Sequence, residues 1–208
     1  VTAASNGANQ IWERDLDKLM DRTSNRPIPS GHLSVQTAIV IVVLLFISGT
    51  TLLWMINLKS ALLGVSAFLS YVFLYTPLKT RTPWAVFVGA FPGAIPPMLG
   101  AIAATDAFGF LPGILFFVQF TWQFPHFWAI AWVTHDDYHK AGFQLLPSSQ
   151  GKSKQSAFQI MLYSLALIPF SLTPWLFDWT GDTTFVVASI LGILFFFYAY
   201  KLFLNLQD

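Results

Sequence analysis

Long apolar runs constrain this chain more than any other feature. Six of them lie at roughly 35–57, 61–75, 84–104, 110–134, 156–177 and 184–206, and most reach the ~20 residues a helix needs to cross a hydrocarbon core. A backbone in hydrocarbon must satisfy its own N–H and C=O groups, which leaves only helices or closed barrels. The runs are too long and too continuously apolar for barrel strands, whose side chains alternate. The expected fold is therefore all-α, a polytopic transmembrane helical bundle. Composition agrees, with 55% hydrophobic and only 10% charged residues. The run at 61–75 is short and needs its polar flanks to complete a crossing. There is no cysteine, so disulfide, zinc–thiolate and iron–sulfur chemistry are excluded.

Charge is concentrated before the first run. Between positions 13 and 26 stand the acids Glu13, Asp15, Asp17 and Asp21 and the bases Arg14, Lys18, Arg22 and Arg26, in a chain with 10 acids and 11 bases. Asn9, Glu13 and Asp17 recur every fourth residue. On a helix that spacing drifts only ~40° per step, so three oxygen-bearing side chains form one stripe. Such a stripe suits a hard divalent cation, and Arg22 and Arg26 beyond it suit an anion.

Counting alternate crossings puts Arg14, Lys18, Arg22, Arg26, Lys79, Arg81, Lys140, Lys152, Lys154 and Lys201 on one face, against Lys59 alone on the other. Ten bases against one marks that face as cytoplasmic, or its mitochondrial matrix equivalent. Function is expected there, because the opposite loops are short and chemically poor. The small residues Ala3, Ala4, Ser5, Gly7 and Ala8 read as the end of a tightly packed membrane helix. A full helix is expected to precede residue 1.

Two further loops share the charged face. In Tyr75-Thr76-Pro77-Leu78-Lys79-Thr80-Arg81-Thr82-Pro83, prolines punctuate both ends, and Lys79, Arg81 and three threonines offer phosphate donors. An ordinary topology-setting loop has the same composition. In Thr134-His135-Asp136-Asp137-Tyr138-His139-Lys140-Ala141-Gly142, adjacent acids point different ways, so one of the two is expected to face an ion. Acids solvated at the headgroup boundary read the same way. His126 lies about 12 Å inside the membrane end by helical rise, a depth at which an ionisable residue is costly unless it faces a cavity or partner. A hydrogen bond to a carbonyl left free by Pro125 is the alternative. Segments 84–104 and 110–134 mix aromatics with Gly89, Pro92, Gly93, Pro96, Pro97, Gly100 and Gly113. They read as broken helices, of the kind tolerated along a cavity.

Together these motifs resemble a known family. Asn9-x3-Glu13-x3-Asp17-x2-Met20-x-Arg22-Thr23-x2-Arg26-Pro27 looks like the first motif of the protohaem IX farnesyltransferases (haem O synthases), within the intramembrane UbiA-type prenyltransferases. Tyr75-Thr76-Pro77-Leu78-Lys79, Trp122-Gln123-x-Pro125-His126-Phe127 and Asp137-Tyr138-x2-Ala141-Gly142 look like its later motifs, in order. Motifs cover about residues 6–147, and hydropathy alone carries the rest.

The resemblance implies a nine-helix plan of which this chain is one membrane-embedded domain, 1–208, truncated at both ends, with 1–34 a helix end plus the first motif loop. It implies farnesyl transfer from farnesyl diphosphate to a vinyl group of haem B, giving haem O. Mg²⁺ would be held by Asn9, Glu13, Asp17 and Asp137, which are the expected catalytic residues. Arg22, Arg26, Lys79 and Arg81 would clamp the diphosphate, and His126 would bind the haem, imidazole being a common ligand of haem iron. Position 13 is Glu where many relatives carry Asp, which changes reach but not charge. The implied setting is a bacterial plasma membrane or mitochondrial inner membrane, with haem A synthase or terminal oxidase assembly as associates and no nucleic acid. Two other readings fit less of the pattern: a sister prenyltransferase with a quinone or chlorophyll precursor as acceptor, and a transporter or haem-binding subunit without catalysis.

Overall fold

The computed structural model describes residues 1–148 and 150–206, and among these every regular element is a helix. The order is α1 (Thr2–Trp12), α2 (Arg14–Asp17), α3 (Val35–Ile56), α4 (Leu58–Leu69), a π-helical segment Ser70–Tyr75, α5 (Thr76–Leu78), α6 (Ala85–Thr105), α7 (Phe110–Val133), α8 (His135–Lys140), α9 (Lys154–Ser171), α10 (Thr173–Leu176) and α11 (Asp182–Leu204). Long helices pack on their neighbours in sequence: α3 on α4, α4 on α6, α6 on α7, α7 on α9 and α9 on α11. Helix α1 packs back on α3 and reaches the π-helical segment.

Five helical stretches are long and apolar enough to cross a membrane: Val35–Ile56, Leu58–Leu78, Ala85–Thr105, Lys154–Leu176 and Asp182–Leu204. The sixth expected run forms α7, a continuous helix of 24 residues, but Gln119, Gln123, His126 and its tryptophans dilute its hydropathy below that of the others. The short run at 61–75 completes its crossing as expected, because Leu58–Leu78 continues without a break through the π-helical segment. The broken helices expected at 84–104 and 110–134 are not found. Helix α6 runs through Pro92, Pro96 and Pro97, and α7 through Pro125. Packing against each other and their neighbours holds both helices continuous despite the missing donors.

The interior is built from small side chains, including Ala4, Ala38, Ala61, Ala85, Ala90, Ala94 and Ala157, all buried. Hydrocarbon solvates Leu as well as another helix does, so association relies on close backbone approach, which small residues permit. Large apolar side chains such as Leu44, Leu52, Trp54 and Val133 point outward instead, where lipid covers them. Helix starts are capped by side chains: Ser34 accepts from the Thr37 amide, Asn57 from Ser60 and Ser153 from Ser156. These caps satisfy donors that would be costly unpaired near the membrane edge.

Candidate active site

The stripe expected from fourfold spacing exists, although α1 ends at Trp12. The Glu13 amide bonds to the Asn9 carbonyl at 2.9 Å, and the Asp17 amide to the Glu13 carbonyl at 2.7 Å. This ladder carries the helical register across the break between α1 and α2. Asn9, Glu13 and Asp17 are all buried, at 7%, 3% and 0% exposure.

Each member of the stripe has a partner from elsewhere in the chain. Asn9 Nδ2 donates to Thr76 Oγ1 at 3.1 Å. Lys79 Nζ lies 2.9 Å from Glu13 Oε1 and donates to Oε2 at 3.1 Å. Arg26 Nη1 donates to both oxygens of Asp17, at 3.0 and 2.9 Å. Thr76 and Lys79 are three residues apart and so face the stripe together. The Thr76 hydroxyl in turn donates to the Tyr71 carbonyl at 2.9 Å, which ties Asn9 to the π-helical segment. Short π-helical insertions of this kind are frequent at functional sites.

The result is a buried cluster of two carboxylates balanced by two bases. Burial pushes the Glu13 carboxyl above its ordinary value of 4.5, with the Lys79 charge pulling against it. Glu13 Oε1 is buried without hydrogen-bonding geometry to any partner among the described residues. The Lys79 ammonium 2.9 Å away already neutralises that oxygen, so a hard cation there would share it with Lys79.

The remaining expected residues occupy distinct places. Asp137 lies on α8, and its carboxylate accepts from the backbone amides of Asp21 at 2.7 Å and Arg22 at 3.3 Å. Burial works to raise its carboxyl, but those two amides and Lys140 outweigh it and hold the group below the usual carboxylate range. Lys140 lies 2.6 Å from Asp21 Oδ2 and 3.6 Å from Asp137 Oδ1. Among the described residues, no three His, Cys, Asp or Glu side chains converge as a metal cluster. Glu13 and Asp17 therefore share a wall that Asp137 does not complete. Arg22 lies over the Tyr138 ring, its guanidinium carbon 5.6 Å from the centroid. Arg81 is exposed on its loop. His126 is half-buried on α7, stacked on Trp122 with ring centroids 4.2 Å apart.

Tyr75 was not among the expected residues, yet Lys79 Nζ sits 4.8 Å above its ring. A side chain four residues before Lys79 on a helix lies one turn deeper on the same face, so the spacing carried that signal. The ring fits because position 89 is glycine: a Cβ there would stand 2.6 Å from Tyr75 Cδ2. Tyr71, Tyr75, Gly89, Gln123 and Phe127 help line a cavity of about 110 Å³. A charge packed on one of the aromatic walls suits an ionic head carrying an apolar tail.

The sequence pattern of the UbiA prenyltransferase family matches residues 1–208. The chain is 52% identical over 198 residues to a protoheme IX farnesyltransferase from Cytophaga hutchinsonii, which covers 95% of this chain and 69% of that protein. It is 50% identical over 213 residues to the protoheme IX farnesyltransferase of Flavobacterium psychrophilum, covering 100% and 70%. With the enzyme of that name from Solibacter usitatus, identity is 43% over 198 residues, covering 95% and 68%. No solved structure matches the chain. A helical membrane architecture, the buried stripe and these likenesses agree, and the chain belongs to the UbiA prenyltransferase family.

Proposed function

We propose that the chain transfers the farnesyl group of farnesyl diphosphate to a vinyl group of haem B, producing haem O. The observation that carries this reading is the buried Asn9, Glu13 and Asp17 stripe, paired with Lys79 and Arg26, with Lys79 resting on the ring of Tyr75, which lines an aromatic cavity. The likeness to protoheme IX farnesyltransferases supports the choice of donor and acceptor. In the reaction the bond between farnesyl C1 and the diphosphate oxygen breaks, and diphosphate leaves. The terminal vinyl carbon of the haem attacks C1. Water adds at the vinyl carbon beside the pyrrole and loses a proton, leaving a hydroxyl.

The chain's own groups divide that work. Lys79 and Arg26, with Arg22 and Arg81 nearer the surface, hold the diphosphate oxygens and stabilise the charge that grows as the C–O bond stretches. Tyr75 and its neighbours keep water from the allylic carbon and present ring faces that attract a cation without attacking it. Mg²⁺ fits the donor set of Asn9, Glu13 and Asp17, all buried hard oxygens on one stripe. When bound it would neutralise part of the leaving group's charge. In this reading His126 meets the macrocycle from α7.

The protein is an integral membrane protein, and its charged end faces the cytoplasm of a bacterial plasma membrane, or the mitochondrial matrix. Haem O would then pass to terminal oxidases or haem A synthase, with which the protein would associate. The test is direct. Purified protein given haem B, farnesyl diphosphate and Mg²⁺ should yield a haem heavier by one hydroxyfarnesyl unit in mass spectrometry. A folded, farnesyl diphosphate-binding preparation that leaves haem B unchanged would reject the proposal.

A further inference from the structure

We infer that the cavity walled by His135, His139 and Gln144 receives the carboxylate edge of the tetrapyrrole acceptor, an inference that rests on the farnesyl transfer proposed above. This cavity, about 270 Å³, opens at the charged face beside α8, and neither the diphosphate site nor His126 uses it. It adjoins the diphosphate site through shared residues. Tyr138, which lies beneath Arg22, and Phe143, whose centroid is 5.6 Å from Lys79 Nζ, wall both. The Gln144 amide donates to the Lys79 carbonyl at 2.7 Å, fixing the rim of the cavity to the residue that holds Glu13.

The acceptor's own chemistry requires such a place. Haem B carries vinyl groups on one side of its macrocycle and two propionates on the other. The reacting vinyl must reach the allylic carbon, which lies on the membrane side of the diphosphate. Ionised propionates cannot lie in hydrocarbon without heavy cost, so they must emerge at the charged face close to the same site. The cavity meets them with donors. His135 and His139 stack at 6.1 Å on one face of α8, and Gln144 and Gln150 add side-chain amides. Beyond the lining, Lys152 lies 3.9 Å from Asp136, which itself lies 3.3 Å from His135 Nδ1. The His135 ring keeps its place because position 151 is glycine at φ +69°: a Cβ there would stand 2.6 Å from Nε2. The volume suits the carboxylate edge rather than the whole macrocycle, which leaves the vinyl edge free to reach past Tyr138 and Phe143.

The experiment crosses protein variants with a capped ligand. Haem B and haem B dimethyl ester are titrated against the purified protein by Soret absorbance, and metal-free protoporphyrin IX by fluorescence. Wild type is compared with His135→Ala, His139→Ala and Gln144→Ala, and farnesyl diphosphate affinity is measured in each as a check on folding. Loss of one charge-assisted hydrogen bond corresponds to about a tenfold weakening. Each variant should bind haem B and protoporphyrin IX about tenfold more weakly, keep its farnesyl diphosphate affinity, and bind the dimethyl ester as wild type does. His139→Gln, which keeps an N–H donor, should recover part of the loss. Unchanged haem affinity in the variants would overturn the inference. So would an equal loss for the ester, or a loss for haem B with none for metal-free protoporphyrin, since that pattern marks iron ligation. Wild-type protein that binds farnesyl diphosphate but no tetrapyrrole would sink the proposed function instead, and this inference with it.

Discussion

Replacing Lys79 by Met separates what the Glu13–Lys79 pair does for the fold from what it does for chemistry. The two side chains are 4% and 9% exposed, with 2.9 Å between Nζ and Oε1. Lys79→Met keeps most of the volume and leaves a buried carboxylate without its countercharge. Removing one partner of a buried pair costs about 3–5 kcal/mol, because the remaining charge is desolvated and unpaired. Glu13→Gln with Lys79→Met removes both charges and should recover most of that loss. Activity should not follow stability. Lys79→Met lowers kcat/KM for farnesyl diphosphate at least about a hundredfold, as expected for a lost charge contact in the transition state, and the double variant stays as inactive. Thermal unfolding in one detergent, with product formation measured in parallel, reads both quantities. Single substitutions costing under about 1 kcal/mol, with additive effects in the double variant, would show that the two charges are not a coupled buried pair. Recovered activity in the double variant would remove Lys79 from the diphosphate site.

Other substitutions probe the surrounding groups. The raised Glu13 carboxyl loses its charge earlier than a free glutamate as pH falls, so the acid limb of kcat/KM should lie above 4.5; a limb at or below that value contradicts its burial beside the reacting groups. Asp137→Ala should free the backbone at Asp21 and Arg22, speeding amide exchange there by at least about tenfold for two lost acceptor bonds, while Asp137→Asn keeps an acceptor and recovers part of the protection. Exchange unchanged in Asp137→Ala would show that the carboxylate does not clamp the loop. His126→Ala should weaken haem binding or turnover more than it lowers thermal stability; the reverse order would make its stack on Trp122 purely structural.

Much of the architecture was legible because membranes impose a simple rule. Apolar length reported the helices long enough to cross, and the excess of bases gave an expected orientation. What escaped was the behaviour of the exceptions. Prolines at 92, 96, 97 and 125 looked like breaks, but neighbouring helices hold α6 and α7 continuous. The segment 61–75 looked short because the residues that extend it to Leu58–Leu78 include Lys59 and Ser60 at one end and Thr76 and Pro77 of α5 at the other.

The site was legible in part for a similar reason. Fourfold spacing placed Asn9, Glu13 and Asp17 on one stripe, and the Asn9–Glu13–Asp17 amide ladder bears that out. Spacing says which face a side chain occupies, not which remote group meets it. The pairings of Glu13 with Lys79 and Asp17 with Arg26 therefore needed the fold. So did the position of Asp137, whose oxygens meet the amides of Asp21 and Arg22 across more than a hundred residues. Tyr75 was readable from its place one turn before Lys79, whereas the cavity behind it depends on Gly89 and Gln123 from two other helices.

The central claim is that the buried stripe activates an allylic diphosphate toward a haem vinyl group. Farnesyl diphosphate labelled with ¹³C at C1, incubated with haem B, Mg²⁺ and either wild-type protein or Asp17→Asn, tests it most directly. Wild type should place the label in a new carbon–carbon bond on the haem side chain, visible by NMR and as hydroxyfarnesyl haem in the mass spectrum. Asp17→Asn, folded and in the membrane, should give no labelled haem above background. Label in the haem at the wild-type rate from Asp17→Asn, or none from wild type that binds both substrates, would contradict the account.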